Sequence, residues 1–375
     1  MIQSIQLTNF KCFEHQDVAL RPLTLLAGLN SSGKSTIIQA LLLLRQSFLE
    51  NLLPNTGLTL NGKLAQLGTA KDVLFEESDV DEIGFELKDD LPASLRLRLA
   101  YREDAYREES DVLALSGSGS TGEIWRTSLF QDEFQYLRAE RIGPRTSFGM
   151  SDYEVRHHRQ IGSSGEFAAH FLALFGSETV ELQGLRHPAA TANTLQSQVE
   201  AWMTEISPGV RLTLKRYSEM DLMTFSVSYS LGHQVASSAY RPTNVGFGIT
   251  YALPIVVSVL SARPGSLVII ENPEAHLHPR GQVRMGELLC QASAAGIQVL
   301  IETHSDHVLN GIRLAVQGRK AAASDVALYH CRWEVGGKSP SLTLLTMDEN
   351  GRLPEWPEGF FDEIERSLDR LLGGE

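Results

Sequence analysis

Apolar positions along this chain follow two periods, and the switch between them outlines the elements. Ile2, Ile5 and Leu7 recur among polar residues across positions 2–10, which predicts a strand, with a second at 18–20. The unbroken apolar run at 23–27 predicts a buried strand. A Gly/Ser turn then leads into 35–49, a helix apolar on nearly every face and so expected to lie buried against a sheet. Residues 58–67 and 83–101 alternate between Gly and Pro breaks, which predicts antiparallel strands. Helices are expected at 167–175 and 194–206, and strands at 210–215 and 223–229. Beyond them a helix at 248–260, an aliphatic run at 267–270, a helix at 281–292, a second run at 298–301 and a helix at 307–316 alternate as in a parallel sheet covered on both faces. The Ser/Gly tract at 116–122 predicts a flexible loop. In the tail, 356–372, Phe360, Phe361, Ile364, Leu368, Leu371 and Leu372 fall at helical spacing before Gly373 and Gly374. That helix is expected to pack on the core or to dock another protein. No repeat or heptad run is present.

Composition narrows the class. Of 375 residues 42% are hydrophobic, enough for a substantial core, and the formal charge is −13. That charge disfavours a broad nucleic-acid surface, because phosphate affinity comes from Lys and Arg. A local basic strip still stands out: Arg138, Arg141, Arg145, Arg156 and Arg159 with His157 and His158, interleaved with Phe148 and Tyr153. Such a strip is a candidate nucleic-acid or partner contact, or else a solvated face. Cys12, Cys290 and Cys331 are scattered, odd in number and without metal-ligand spacing, which fits a reducing compartment. The first ten residues do not resemble a signal peptide, and the longest apolar run is far too short to cross a bilayer. A soluble cytoplasmic protein with no membrane partner is expected.

The chemistry concentrates in three places. Gly28-Leu29-Asn30-Ser31-Ser32-Gly33-Lys34-Ser35 fits Gly, four residues, Gly, Lys, Ser/Thr, set between a predicted strand and a predicted helix. Glycines at both ends let successive amides turn inward around phosphate oxygens, and the helix N-terminus, with Thr36 in its first turn, faces the same anion. Lys34 then reaches the β- and γ-phosphates and the Ser35 hydroxyl ligates Mg²⁺. The second place is Glu271, at the end of an aliphatic strand, where ligands of open α/β sheets bind; its carboxylate suits the Mg²⁺ shell opposite Ser35. The third is Thr303-His304-Ser305, where His304 leaves another core strand and is placed to orient water or sense the γ-phosphate. His276 and His278, alternate residues beside a proline, invite a transition-metal reading only weakly.

Together these residues resemble the ATP-binding-cassette ATPases of the SMC, RecF and OLD (overcoming-lysogenization-defect) group. The resemblance rests on Leu7-Thr8-Asn9-Phe10-Lys11-Cys12-Phe13, the phosphate loop, Pro273-Glu274-Ala275-His276-Leu277-His278-Pro279 and Thr303-His304-Ser305, and is densest over 1–50 and 240–315. It implies one α/β domain of the P-loop NTPase class: an ABC-type head with a mixed central sheet, an antiparallel β subdomain and a helical insertion. Residues 1–60 would carry the first strands and phosphate loop, 61–240 the β/helical insertion, 241–320 the core with signature, magnesium carboxylate and switch histidine, and 321–375 C-terminal strands with a capping or docking helix. It implies ATP and Mg²⁺ as cofactors, Gln66 as a magnesium- and water-contacting glutamine, and an ATP-sandwiched homodimer. In that dimer Asn244, Gly246 and Gly248 would meet the partner's nucleotide, with Asn244 where the group usually has Ser. The tail Trp356-Pro357-Glu358-Gly359-Phe360-Phe361 also resembles stand-alone bacterial ATPases encoded beside nuclease or toxin partners in phage-defence loci.

One departure matters. The group usually places Glu after the magnesium carboxylate, and this chain has Asn272. An amide cannot take a proton, and general-base help is worth roughly 10²–10⁴-fold. Glu274 or His304 substitutes, or hydrolysis is slow. The leading expectation is therefore a slowly hydrolysing ATPase acting as a dimeric switch on a protein effector such as a nuclease or toxin, in anti-phage defence; a Toprim nuclease domain has no room after residue 320. The alternative is a RecF-like repair clamp that binds DNA with ATP. A transporter subunit is a third class, disfavoured by the long insertion and a loose signature.

Overall fold

The structure is a computed structural model that describes residues 1–90, 93–101, 110–230, 237–334 and 336–372. Gly373 and Gly374 lie outside the described residues, as does the side chain of Ile364. The chain opens with β1 (Ile2–Phe10), β2 (Phe13–Ala19), β3 (Leu23–Gly28), α1 (Lys34–Leu49), β4 (Gly57–Thr59), the short α2 (Ala70–Val73), β5 (Glu82–Asp89), β6 (Ser94–Ala100) and β7 (Val112–Thr121). It continues with β8 (Phe134–Leu137), β9 (Phe148–Gly149), α3 (Ala168–Phe175), α4 (Leu195–Ile206), β10 (Val210–Tyr217), β11 (Leu222–Tyr229) and α5 (Phe247–Ser261). Then come β12 (Leu267–Glu271), α6 (Pro279–Ala294), β13 (Gln298–Glu302), α7 (Asp306–Gln317), β14 (Val326–Arg332), β15 (Ser341–Leu345) and α8 (Glu363–Leu371).

These elements form two compact units. The first comprises Met1–Gln131, Ala327–Leu345 and Pro357–Phe360. Its antiparallel sheet runs β2-β1-β5-β6-β7-β4, with Ile5, Leu7, Phe85, Leu87, Leu95, Leu97 and Leu99 buried on one face. Strands β3, β14 and β15 lie side by side in that order, β14 and β15 antiparallel. Helix α1 is buried nearly all round, as its composition predicts. Its buried Arg45 donates to the carbonyls of Leu129 (2.6 Å) and Gln131 (2.9 Å), and Phe48 stacks on Trp125 at 5.3 Å.

The second unit comprises Asp132–Val326, Thr346–Trp356 and Phe361–Glu375. Its parallel strands run β8-β12-β13, in the register Ile269 opposite Tyr136 and Leu300. All three are apolar and buried, as expected of strands covered on both faces. A small antiparallel sheet, β10-β11-β9, completes the set. Helices α6 and α7 cross closely because each offers a glycine: a Cβ on Gly286 would fall on the Val308 carbonyl, and one on Gly311 on the Val283 carbonyl.

Three expectations from the pattern change. Only Gly57–Thr59 of the 58–67 segment is a strand; the rest is turn, where Asn61 bridges Gln66. The Ser/Gly tract 116–122 belongs mostly to β7, since small residues on an exposed strand pair through the backbone whatever their side chains. The tail is helical only over Glu363–Leu371, with Phe360 buried beside His330 (5.2 Å between rings) and Leu368 and Leu371 exposed. Periodicity did not reveal β8, β14 or β15 as separate strands.

The α6–α7 crossing yields a test. Gly311→Ala should lower unfolding stability by about 1–3 kcal/mol, the usual cost of overpacking a tight contact. Urea denaturation measures it, and an unchanged midpoint would refute the close approach.

Candidate functional site

The site residues fall in two groups, one in each unit. In the first, β3 ends at Gly28 (φ 144°), and a Cβ there would lie on the Cys331 carbonyl of β14; only glycine permits this approach. The loop continues through Asn30 and Ser31, the latter left-handed at φ 62°, to Gly33 at φ 90°, the N-cap of α1. A Cβ on Gly33 would stand 2.7 Å from the Phe13 ring, so that glycine too is required. Lys34 is buried and its Nζ donates to the carbonyls of Gly28 (3.0 Å) and Leu29 (2.7 Å). Trp333 Nε1 donates to the Ser31 carbonyl at 2.8 Å. Among the described residues none accepts from the main-chain amides of Asn30, Ser31 or Gly33. Amides without acceptors at a helix N-terminus form a cradle for an anion, so these residues fit a phosphate group. Ser32 and Thr36 are buried, Ser35 half-buried, and Thr36 Oγ1 sits 3.5 Å from Cys12 Sγ. Gln66 lies exposed in its turn.

In the second unit β12 delivers Glu271 beside Glu302 of β13. The Glu271 carboxylate accepts from Tyr136 Oη (2.9 Å) and the Ala139 amide (3.0 Å), one bond per oxygen, and each oxygen keeps a lone pair for a further ligand. Burial, reinforced by the Glu271 charge, drives the Tyr136 hydroxyl well above its ordinary range, so it remains a proton donor to that carboxylate. The chain then turns at Asn272, left-handed at φ 46°, a conformation Asn tolerates. Arg141 pins the turn: Nη1 donates to the Glu271 carbonyl (2.6 Å) and Nη2 to the Asn272 carbonyl (2.5 Å). Burial pushes this guanidinium down to about 10, opposed by the charges of Glu274 and Glu271, and it stays cationic at neutral pH.

Glu274 ties this loop to the switch segment. Its carboxylate accepts from Thr303 Oγ1 (2.7 Å) and from the His304 amide (2.9 Å). The Ser305 hydroxyl caps α7, accepting from the Val308 amide at 3.2 Å. Residue 304 is thus held on both sides while its own side chain is exposed. His276 packs on Phe247 (5.3 Å) and Tyr251 (4.4 Å), and His278 caps α6 through Nδ1, so their alternate spacing serves packing and capping. No cluster of three or more metal-binding side chains occurs among the described residues. Asn244, Gly246 and Phe247 are exposed at the start of α5, and a Cβ on Gly248 would lie 2.9 Å from the His276 carbonyl.

The basic strip needs correction. Arg141 is 2% exposed and satisfies internal carbonyls, so it is no surface contact. Arg159 pairs with Glu178 at 2.9 Å and stacks on Phe175, and Arg156 pairs with Asp152 at 3.3 Å. Arg138 and Arg145 are exposed.

Three family models match parts of the chain. A family model described as an AAA ATPase domain matches residues 1–141. A second AAA domain model, whose description names the AbiEii toxin and a Type IV TA system, matches 228–310. A family of proteins of unknown function, DUF3696, matches 322–371. Among solved structures, an Smc head bound to the C-winged helix domain of ScpA aligns over 93% of this chain and 98% of its own, at 13% identity and a TM-score of 0.57. An Smc head with an extended coiled coil, bound to the C-terminal domain of ScpA derived from Pyrococcus furiosus, aligns over 99% of both chains at 12% identity and a TM-score of 0.53. No curated protein matches. Two stretches of the chain thus match AAA ATPase domains, and the chain is similar to P-loop ATPases of the SMC/RecF/OLD-like kind. The mixed α/β fold of this ATPase is that of an SMC head.

Tyr136, Ala139 and the internal role of Arg141 escaped the sequence reading. The short apolar Phe134–Leu137 run was the only available signal, because contacts between strands far apart in sequence leave no local period. In the ATPase no described helix is long and apolar enough to cross a membrane. Arg141→Ala should cost on the order of 3 kcal/mol in thermal or urea unfolding, since two buried carbonyls lose their donor. Unchanged stability would return Arg141 to the surface.

Proposed function

We propose that this ATPase binds ATP and Mg²⁺, hydrolyses ATP slowly, and works as a nucleotide-gated dimeric switch on a protein effector. The observation that carries the reading is the loop from Gly28 to Ser35, with carbonyls engaged by Lys34 and Trp333 and the amides of Asn30, Ser31 and Gly33 left for an anion. Gly28, Asn30, Ser31, Ser32, Gly33, Lys34, Ser35 and Thr36 would hold the phosphates. The roles of Ser35, Glu271 and Gln66 toward Mg²⁺ enter through the resemblance. The metal, when bound, neutralises charge on the β- and γ-phosphate oxygens.

Asn272 lacks a base, and Glu274 bridges to the next strand's end by accepting one bond per oxygen from residues 303 and 304. We assign Glu274 to positioning and His304 to orienting the attacking water. With an amide at 272 in place of a carboxylate base, turnover is slow. The exposed N-terminus of α5, with Asn244, Gly246 and Gly248, supports a nucleotide contact to a second copy. The AbiEii description supports a role in bacterial defence, with a nuclease or toxin as effector. The repair-clamp alternative loses Arg141, which is buried on internal carbonyls, while Arg156 and Arg159 form ion pairs at the surface.

Single-turnover hydrolysis tests the assignment. Lys34→Ala should abolish it, His304→Ala should slow it by about 10²-fold, and Asn272→Ala should change it by less than about threefold. A collapse in Asn272→Ala overturns the catalytic assignment. ATP should shift the sedimentation of the wild type from monomer to dimer, and salt-dependent duplex binding with ATP and no partner would favour the clamp.

A further inference from the structure

Strand β14 meets the phosphate loop at two points. The Cys331 carbonyl lies where a side chain on Gly28 would be, and two residues further on the Trp333 indole N–H donates to the Ser31 carbonyl at 2.8 Å. Trp333 remains 46% exposed, so the hydrogen bond, not burial, accounts for its place. Ser31 is a non-glycine residue at φ 62°, a backbone state that persists only where neighbours enforce it. A trans peptide is rigid, so its carbonyl and the next amide point in opposite directions. Holding the Ser31 oxygen toward Trp333 therefore aims the Ser32 amide away from it. Lys34 does the same for the Gly28–Leu29 and Leu29–Asn30 peptides through the oxygens of Gly28 and Leu29.

We propose that Trp333 is a positioning residue for the nucleotide: its indole N–H orients the Ser31–Ser32 peptide so that the Ser32 amide is preset for a phosphate oxygen. The phosphate loop is thus completed by a residue some 300 positions away in the chain. The inference rests on the ATP-binding reading of residues 28–35.

The test compares wild type, Trp333→Phe and Lys34→Ala for equilibrium binding of ATP and of inorganic tripolyphosphate, which carries no base. Trp333→Phe should weaken both ligands by about three- to tenfold, the range for one lost neutral hydrogen bond, with the ligand-free melting temperature unchanged. Undiminished ATP binding by Lys34→Ala would sink the nucleotide reading itself. If Lys34→Ala loses binding while Trp333→Phe keeps both affinities, the positioning role fails and the reading survives. A loss for ATP alone also overturns the role, because the ring would then serve the base. A measurement independent of any variant's folding uses ¹⁵N-indole-labelled wild type. The Trp333 indole proton should stay protected from solvent exchange with tripolyphosphate bound, and fast exchange there rejects the proposal.

Discussion

Every backbone carbonyl that leaves a sheet edge must find a donor, and in this protein that demand shapes both groups of site residues. At the end of β3 the carbonyls of Gly28, Leu29 and Ser31 are taken by Lys34 and Trp333. At the end of β12 those of Glu271 and Asn272 are taken by Arg141. Since carbonyl and amide of one peptide point oppositely, each donor also decides where the neighbouring amides face. The exposure of the loop's amides is in this sense a by-product of satisfying its oxygens.

Three of the ten described non-glycine residues with positive φ lie in these segments. Ser31, Asn272 and His276 are all left-handed without being glycine, and each sits in a turn that follows a core strand. Such states cost on the order of 1–3 kcal/mol apiece and persist because surrounding bonds overdetermine them.

Glu274 adds a second link of this kind. By accepting from Thr303 and the His304 amide it fastens the loop after β12 to the segment after β13. The α5 N-terminus joins through Gly248, which lies against the His276 carbonyl. The segments at 271–278, 303–305 and 246–248 are therefore in direct contact within the second unit.

Much of this was legible in the residues alone. The Gly-x₄-Gly-Lys-Ser pattern between a strand and a helix, an aliphatic strand ending in Glu271, and a second ending before His304 each have a local signature, because phosphate binding and strand burial impose short-range rules. The α/β class and the main helices followed from period. What local pattern cannot carry is partnership across the chain. Arg141 read as part of a basic strip, yet it is buried beneath the turn at Asn272. Trp333 carried no signal at all, and the Ser/Gly tract read as a loop until its neighbours made it a strand. Composition and spacing specify which groups have chemistry to offer. Only the packing of distant strands decides which donor meets which carbonyl, and hence which amides are left to face a ligand.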